Sequence, residues 1–572
     1  MNDPANQREP INRFLGVDQL TLRAVLIGMI GSVIITASSM YVALKLSALP
    51  WPTVFVAVLS MALLKILGRT SLNEINIAQT GMSAGAMVAG ALAFTLPGLW
   101  IAGIYQPFDP AKESLAAWFL PKFWPVLLIA AAGMVLGSLL CWYLRPRFVE
   151  QENLPYPIGA AAAETLITGD QGGRKALTLF ITLGLTAAFT ALRDKIQGFP
   201  QAFSTFVFKV PVGLALSPMA IGIGYIIGPV YTGYWLAGAI FANFIVTRLG
   251  VDWQTFASSA EAGAFNLTAA IGLMVGSGGG ILISFIVSMF KKRKSAILAD
   301  GQKSGDSASA QANRPVAGKK RFGLGLLILL AVALSFAFSV LAGLSPAAAA
   351  LLMVGTLVAT AMSATITGQT GINPIEIFGI IILLAIRLFV AVDPTSAFFI
   401  AAAVAVACGY AGDLLNDYKA GAIIGTNPNA QLVSQIFGGI IGTLVASVAI
   451  FAVIYQYGGV GGDTGLSAVQ AFTVSGMVTG IGDSFVFLIA ALIGCVLYLR
   501  KIPAMIIGIG MLLPITMSVA IFLGGMIRLV LKLARKSKPE DTVTGNIIAA
   551  GMLGGEGITG VILSLITMFS GR

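Results

Sequence analysis

The sequence has no histidine, and only 10% of its 572 residues are charged. Without histidine, zinc-peptidase chemistry and histidine proton relays are excluded, so any proton carrier has to be a carboxylate. The low charge excludes a soluble globular protein, in which about a quarter of the residues are charged. Cysteine is also scarce: Cys141, Cys408 and Cys495 lie in apolar runs without disulfide or metal spacing. We therefore predict no cofactor and no metal site.

Long hydrophobic runs dominate the chain instead. Hydrophobic residues make up 57% of it, and its 67 glycines, many inside apolar runs, allow helix backbones to approach closely. This composition predicts an all-α polytopic membrane protein with about sixteen transmembrane helices, some of them re-entrant or broken. We expect it to cross the cytoplasmic (inner) membrane many times, with lipid around it.

Basic residues predict the topology. The segment Lys291–Arg321 holds nine basic and two acidic residues, the pattern of a cytoplasmic linker rather than of a nucleic-acid site. It separates a first membrane half, 22–290, from a second, 322–572, and a polar segment, 1–21, precedes both. With an even number of spans in each half, both termini and the linker would be cytoplasmic.

The two halves share short strings. Gly222–Pro229 (GIGYIIGP) matches Gly508–Pro514 (GIGMLLP), and Asn76–Thr80 (NIAQT) is echoed by Thr367–Thr370 (TGQT). We expect two parallel pseudo-repeats about an axis along the membrane normal, with substrate near the midplane between them.

A segment between two basic clusters is short and rich in glycine and proline. Ile506–Gly525 separates Arg500–Lys501 from Arg528–Lys538. Because both clusters should be cytoplasmic, we predict that this segment dips into the membrane and returns.

The stretch Asn153–Gly169 (NLPYPIGAAAAETLITG) is apolar but too short to cross a bilayer. Its prolines leave backbone groups free, which is tolerated only in protein or beside a cavity. We predict a re-entrant, substrate-facing element in which Glu164 binds substrate or carries protons. The alternative is a carboxylate paired with Arg174 or Lys175.

Asn73–Gly85 places Glu74, Asn76 and Gln79 in an otherwise apolar span. Polar residues at such depth are candidates for function. We expect the two amides to bind peptide groups and Glu74 to contact substrate or protons. The alternative puts Glu74 at the water interface and the amides against a neighbouring helix.

Two further regions carry candidate residues. Glu556 lies among glycines near the end of the chain, where it either couples protons or pairs with an arginine. Asp413–Gln435 is polar and turn-rich, and its Lys419, Asn427 and Gln431 are candidates for binding a substrate carboxylate or peptide bonds, unless the block is a cytoplasmic loop.

A remote alternative is an intramembrane aspartyl hydrolase. The string Gly480–Asp483 (GIGD) has the GxGD pattern of such proteases, and Asp413 or Asp417 would be the second aspartate. No Tyr-Asp pair accompanies it, and no GxxxxGK[ST] loop indicates an ATPase.

Several motifs together resemble the oligopeptide transporter (OPT) superfamily, which includes the yellow-stripe-like metal-chelate carriers. They occur in one order along the chain: NEINIAQTGMSAG, NLPYPIGAAAAETL, SPMAIGIGYIIGP, MSATITGQTGINPIE, DLLNDYKAGAIIGTNPNAQLVSQIFG, GIGMLLPITMSVAIFLGG and GMLGGEGITG. Tyr156 and Asn373 fall in the second and fourth of these motifs and join the substrate-binding candidates.

The resemblance implies a proton-coupled symporter that imports oligopeptides by alternating access and is not an enzyme. A homo-oligomer is compatible with it. Because the chain has no histidine, peptides are favoured over the alternative, metal chelates or another amide-rich solute.

Overall fold

The computed structural model describes most of the chain as helix. The described residues are 14–46, 53–169, 174–195, 199–301, 319–370, 373, 375–461, 464–479, 483–534 and 539–570. Ten helices in this part are long and apolar enough to cross a membrane, and three shorter apolar helices accompany them. The prediction of a polytopic helical membrane protein is confirmed.

The helices of the first half are α1 (Leu22–Leu46), α2 (Thr53–Ile66), α3 (Leu72–Thr95), α4 (Gly98–Ile101), α5 (Leu115–Arg145), α6 (Pro157–Gly169), α7 (Arg174–Asp194), α8 (Pro218–Ile227), α9 (Pro229–Ile240), α10 (Gly250–Asp252) and α11 (Ser259–Gly301). A 3-10 turn at Phe14–Gly16 precedes α1, and π-helical stretches follow α5 and α9 at Pro146–Gln151 and Phe241–Leu249. Prolines begin α6, α8 and α9, where a missing backbone N–H costs little.

The remaining helices are α12 (Lys319–Leu341), α13 (Pro346–Thr370), α14 (Ile375–Arg387), α15 (Pro394–Ile424), α16 (Pro428–Tyr457), α17 (Val469–Thr479), α18 (Ser484–Leu499), α19 (Ala504–Leu512), α20 (Ile515–Ala534) and α21 (Pro539–Ser570). Local sequence explains the bounds of α15. Asp393 caps its first turn by accepting from Ser396 N at 3.0 Å, and Gly425 ends it at a φ of 90°.

A β-hairpin interrupts the helices, which the all-α expectation missed. Strands β1 (Ala202–Val207) and β2 (Val210–Ala215) pair antiparallel, with Ala202 opposite Ala215. Strand β2 has the sequence VPVGLA, which is as apolar as a membrane helix in a hydropathy window, so composition does not reveal it as a strand.

Two other boundaries differ from expectation. The polar block from Asp413 is not a loop, because α15 runs through it to Ile424 and α16 resumes at Pro428. Helices also extend into the predicted linker from both sides, α11 to Gly301 and α12 from Lys319, and residues 302–318 lie outside the described part.

The core of the bundle is formed by α3 and α15, whose apolar windows are almost entirely buried. Both are hydrophobic around the whole helix, as a central helix requires. Gln79 of α3 contacts Asp417 of α15, and Met87, two turns later in α3, packs beside Gly409, two turns earlier in α15. The two central helices are therefore antiparallel.

The same junction occurs twice in the molecule. Tyr156, just before α6, donates its backbone N–H to Gly368 O near the end of α13, at 2.9 Å. Ala468, just before α17, donates its backbone N–H to Leu44 O near the end of α1, also at 2.9 Å. Tyr156 and Ala468 have φ values of 40° and 38°, which few residues adopt outside glycine.

Close contacts at glycines also occur in matching pairs, one pair involving α21 and α7 and the other α11 and α18. Gly551 and Gly555 of α21 pack directly on the backbone of α7, while Gly272 and Gly276 of α11 pack directly on the backbone of α18. A side chain at any of these four positions would overlap the facing helix, so glycine is required for the close approach.

The central helices show a third matched pair. Gly438 of α16 packs on the carbonyl of Gly81 in α3, and Gly133 of α5 packs on the carbonyl of Ala403 in α15. The contacts of α3 with α16 therefore have the same form as those of α15 with α5.

Candidate functional site

Glu74 lies in the first turn of α3 and is buried there with a cationic partner. Arg23 donates through Nε at 2.9 Å and also through Nη2, and the hydroxyls of Thr21 and Thr70 donate at 2.6 and 2.7 Å. Ser71 caps the same turn. A carboxylate with this many donors beside a helix N-terminus is stabilised in its charged form.

Polar side chains of α3, α15 and α16 form one buried network. Gln79 Nε2 donates to Asp417 Oδ1 at 2.8 Å, and Asn76 Nδ2 donates to Gln79 Oε1 at 3.4 Å. Gln431 Nε2 donates to Thr80 Oγ1 at 3.1 Å and to the Asp417 carbonyl at 3.0 Å. Three of the predicted substrate residues, Asn76, Gln79 and Gln431, are thus brought together.

Asp413, one helical turn before Asp417, has a second set of partners. Asn373 Nδ2 donates to Asp413 Oδ2 at 2.8 Å and to Cys408 O at 2.9 Å. Ser363 Oγ donates to Asn373 Oδ1 at 2.8 Å, which fixes the orientation of the amide. Among the described residues, Asp413 Oδ1 has no hydrogen-bond partner.

Asp413 and Asp417 lack a counter-charge. Their side chains are buried, and within the described part of the chain no lysine or arginine nitrogen lies within ion-pairing distance of either carboxylate. An isolated buried carboxylate is costly, so it binds a proton or another cation. We call Asp413 and Asp417 the unpaired carboxylates.

The proline-rich entry to α6 anchors this helix to α13 and α15. Tyr156 Oη donates to Ala364 O at 2.8 Å, and the Gly159 N–H donates to Asn416 Oδ1 at 3.0 Å. Tyr156 is fully buried. Glu164 lies on α6, but its side chain is outside the described part of the structure.

Lys419 and Asn427 lie away from the buried network. Lys419 Nζ donates to Asn153 Oδ1 at 2.7 Å. Asn427 caps α16 by accepting from Asn429 N at 2.9 Å, and its own N–H donates to Gln19 Oε1 at 2.6 Å. Both residues therefore hold helix ends and loops in position.

Glu556 is the charged centre of a different site, at the contact of α1, α7, α8 and α21. Its carboxylate accepts from Arg193 Nη2 at 3.1 Å, from Ser217 Oγ at 3.0 Å and from Met219 N at 2.9 Å. Lys45 Nζ lies 3.8 Å away. Glu556 is fully buried. We call Lys45, Arg193 and Glu556 the ion cluster.

Further groups complete the ion cluster. Arg193 also makes a bidentate pair with Asp194, at 2.6 and 2.8 Å. Lys45 Nζ donates to Tyr41 Oη at 3.1 Å, and Tyr41 Oη lies 2.7 Å from Tyr457 Oη. Of the two alternatives for Glu556, this arrangement favours pairing with an arginine.

The sequence analysis named the unpaired carboxylates only as the second aspartate of the hydrolase alternative, and not as substrate or proton residues. Their signal was present: two aspartates four residues apart, on one face of a helix that continues a long apolar run. Because the block was described as polar and turn-rich, the helical spacing of the two aspartates was not used. Glu376, in the first turn of α14, is a further buried carboxylate.

The aspartates of the hydrolase alternative have different surroundings, and the acidic and cysteine side chains of the described residues are dispersed. No group of three or more Cys, Asp or Glu side chains there could hold a metal ion. Asp483 is exposed and caps α18 by accepting from Phe485 N at 2.8 Å, whereas Asp413 is buried beside Asn373.

Comparison with known proteins gives the family. A family model described as OPT oligopeptide transporter protein matches residues 19–567. A Haemophilus influenzae protein that bears the name "Putative oligopeptide transporter" is 28% identical, and the alignment covers 92% of each chain. The resemblance inferred from the motifs is therefore confirmed. This chain belongs to the OPT oligopeptide transporter family and is a multi-pass membrane transporter, not an enzyme.

Proposed function

We propose that the protein imports oligopeptides across the cytoplasmic membrane together with protons. The observation that carries the coupling is the pair of unpaired carboxylates, because the family supplies only the peptide-transporter class. A carboxylate that is buried without a cation takes up a proton readily and releases it when water reaches it. This is the behaviour that a coupling residue needs.

Asp413 is the proposed proton carrier. Its Oδ2 is held by Asn373 and its Oδ1 has no partner in the described part of the chain, so Oδ1 can be protonated without breaking a hydrogen bond seen there. Glu164 stays a candidate for the same role from the sequence. Glu556 is a weaker one, because two cations and two hydrogen-bond donors hold its charge.

The buried amides are proposed to recognise the substrate backbone. Asn76, Gln79 and Gln431 offer the same donors and acceptors as peptide groups, and opening α3 from α15 would free them. Tyr156 and Asn373 border the same helices, and Glu74, Lys419 and Asn427 would contribute only from the polar ends.

Alternating access is proposed to use two inverted halves. In this relation α1, α3, α5, α6, α7 and α11 correspond to α13, α15, α16, α17, α18 and α21. The repeated Tyr156 and Ala468 junctions and the matched glycine contacts support it. In inverted repeats, each half can adopt the conformation of the other. The substrate site then opens to the opposite side of the membrane.

This proposal replaces the parallel halves expected from an even number of spans. An axis along the membrane normal would leave corresponding helices parallel, yet α3 and α15 are antiparallel. Since α12 has no counterpart, the total number of crossings becomes odd. The C-terminus then faces the periplasm, while the N-terminus and the linker stay cytoplasmic.

A topology assay tests the inverted relation. Alkaline phosphatase, active only outside the cytoplasm, would be fused after Arg572, and a second fusion would be placed within 302–318. We expect an active C-terminal fusion and an inactive linker fusion. Two inactive fusions would support the even span count and contradict the inverted halves.

Uptake into proteoliposomes tests the transport proposal. A pool of di- to hexapeptides would be offered with an inward proton gradient, with and without protonophore, and accumulation would be read by mass spectrometry. We expect particular peptides to accumulate and the protonophore to abolish it. Uptake of a metal chelate with no uptake of peptides would favour the alternative cargo.

Asp413→Asn separates coupling from binding. We expect at least a 10-fold loss of proton-driven accumulation, while gradient-free exchange of labelled peptide continues. Asp109→Asn, in an exposed loop, is the control and should behave as the unmodified protein. Undiminished proton-driven accumulation by Asp413→Asn would contradict the assignment of the proton carrier.

A further inference from the structure

The Asn373 amide is fixed by a neighbour that can only accept hydrogen bonds. Its Nδ2 donates to the backbone carbonyl of Cys408 at 2.9 Å and to Asp413 Oδ2 at 2.8 Å. If the amide were turned over, its oxygen would face both of these acceptors. Because a carbonyl has no hydrogen to donate, the contact with Cys408 O favours one orientation, whether or not Asp413 carries a proton.

Two further neighbours support this orientation. Ser363 Oγ lies 2.8 Å from Asn373 Oδ1, to which its hydroxyl can donate. Gly412 leaves the space for the amide, because a side-chain carbon there would overlap both Asn373 Nδ2 and Ser363 Oγ. Both polar side chains are buried, so the surrounding protein and not bulk water determines how the amide is turned.

The fixed amide makes the two oxygens of Asp413 unequal. Oδ2 faces an N–H group in either protonation state, whereas Oδ1 has no partner among the residues that the structure describes. A proton on Oδ2 would compete with the N–H of Asn373 for the same oxygen. Oδ1 is therefore the oxygen at which a proton binds without loss of a described contact.

The same amide stabilises Asp413 once the proton has left. In the described part of the chain, the ionisable groups that interact electrostatically with Asp413 are neutral or acidic: Asp417, Cys141, Cys408 and Tyr156. None of these groups supplies a positive charge. The hydrogen bond from Asn373 is a contact that strengthens when the carboxylate becomes charged.

We propose that Asn373 is a positioning residue of the proton carrier, which directs the coupled proton to Asp413 Oδ1 and allows its release. The inference rests on the proposed role of Asp413, and it assigns Asn373 to coupling instead of peptide binding. Without the amide, the charged carboxylate would lose its donor and the proton would stay bound in both access states. Peptide would then exchange across the membrane without being driven by the gradient.

Gln79 provides a contrast within the same bundle. It also donates to a buried aspartate, Asp417, at 2.8 Å, and its own oxygen accepts from Asn76 Nδ2 at 3.4 Å. These partners are side chains, which can rotate, whereas the carbonyl that fixes Asn373 belongs to the backbone of α15. Gln79 is therefore able to turn toward a peptide group, and Asn373 is not.

The experiment compares two measurements in proteoliposomes that contain the full chain. The probe is the peptide that accumulates most strongly from the di- to hexapeptide pool, in labelled form. Its accumulation under an inward proton gradient is divided by its exchange without a gradient, which removes differences in the amount of active protein. We expect Asn373→Leu to lower this coupling ratio about 10-fold, the effect of losing one hydrogen bond to a charged group. The half-saturating peptide concentration should not change.

Gln79→Leu should give the opposite result, a higher half-saturating concentration with the coupling ratio kept, because Gln79 is proposed to bind peptide groups. Gly412→Ala changes no polar group but displaces the Asn373 amide, so it should lower the coupling ratio as Asn373→Leu does. Asn266→Leu is the matched control. Asn266 is a buried asparagine of α11 that donates to Ala242 O and Thr247 Oγ1, and its loss should leave both quantities unchanged.

An undiminished coupling ratio in Asn373→Leu or Gly412→Ala would overturn the proposal, provided that the variant is monodisperse in detergent. If one of the two does not fold, the other decides, because one removes the amide and the other displaces it. A higher half-saturating concentration in Asn373→Leu with an unchanged ratio would make Asn373 a peptide ligand instead.

Asp413→Asn distinguishes failure of this inference from failure of the proposed function. If Asp413→Asn keeps full accumulation, Asp413 is not the proton carrier and the role of Asn373 is refuted with it. If Asp413→Asn loses accumulation while Asn373→Leu keeps the coupling ratio, the positioning role alone is refuted.

Discussion

Glu556 and Asp413 are both buried carboxylates within long apolar helices, and their surroundings are opposite. Glu556 lies between Arg193 and Lys45 and accepts hydrogen bonds from Ser217 and Met219 N. Asp413, by contrast, accepts from the Asn373 amide through Oδ2, and its Oδ1 has no partner among the residues that the structure describes. In one site the protein stabilises the charge, and in the other it makes the charge costly.

The comparison shows that a carboxylate inside the membrane is not in itself evidence of coupling. Desolvation disfavours the charged form of both residues, and neighbours decide the outcome. Two cations beside Glu556 favour a permanent ion pair that joins α1, α7 and α21. Asp413 has no cation within reach in the described residues, and this absence favours reversible protonation.

The ion cluster also distinguishes the two halves. Under the proposed inverted relation, the matched contacts place Lys45 opposite Gln369 and Glu556 opposite Ser277, so the charges have no counterpart. The contact that the ion cluster stabilises in one half therefore has no charged equivalent at the corresponding positions of the other half. The two access states of the transporter would differ in stability for this reason.

The largest effect on stability is expected from Glu556→Gln. It leaves Lys45 and Arg193 buried without their shared anion, and breaking a buried pair costs about 3–5 kcal/mol. Because Asp194 still pairs with Arg193, we expect the lower end of that range. Unfolding in mixed micelles with increasing SDS would measure it.

The companion variant Lys45→Met tests the electrostatic explanation. Combined with Glu556→Gln, it removes one of the uncompensated cations, so the double variant should be more stable than Glu556→Gln alone. Asp413→Asn, by contrast, should leave stability within about 1 kcal/mol, since no buried cation loses a partner. A larger loss for Asp413→Asn than for Glu556→Gln would reverse the comparison.

A smaller effect is expected from Ser217→Ala. Ser217 Oγ donates to Glu556 and also caps α8 by accepting from Ala220 N at 3.2 Å. Losing a cap and one bond to a charged group costs about 1–2 kcal/mol. Ser217→Thr keeps the hydroxyl and should recover most of the stability in the same SDS titration. No loss in Ser217→Ala would show that other donors suffice for Glu556.

The sequence predicted the helical membrane class from its long apolar runs and the family from motifs that occur in one order along the chain. It did not predict β2, whose apolar residues are indistinguishable from a short span in a hydropathy window. It also read the block from Asp413 as polar and turn-rich, whereas α15 buries it against α3. Polar residues on a central helix look like a loop when their partners are distant in the chain.

Partners distant in the sequence also explain the site residues. Arg193 and Glu556 are separated by most of the chain, so composition cannot show whether Glu556 is paired. The same holds for Asn76 and Gln431, whose amide oxygens both pack against Gly421 because three helices meet there. The expected parallel arrangement of the two halves depended on an even number of spans in each half. Broken helices make that number ambiguous.

Among the ion-paired carboxylates, the smallest loss of stability is expected at Glu74, which lies at the edge of the bundle. Glu74 is buried, but the Arg23 side chain is 32% exposed, so water stabilises the cation after the pair is broken. Glu74→Gln keeps the shape and one acceptor oxygen, and a threonine hydroxyl can rotate to accept from the new amide group. We expect a loss of about 1 kcal/mol in the SDS titration. Because Arg23 and two hydroxyls occupy the carboxylate, peptide uptake should persist. Abolished uptake with unchanged stability would instead make Glu74 a substrate or proton residue, as the sequence alone suggested. The presence of a cationic partner would then no longer distinguish structural carboxylates from those that take part in transport.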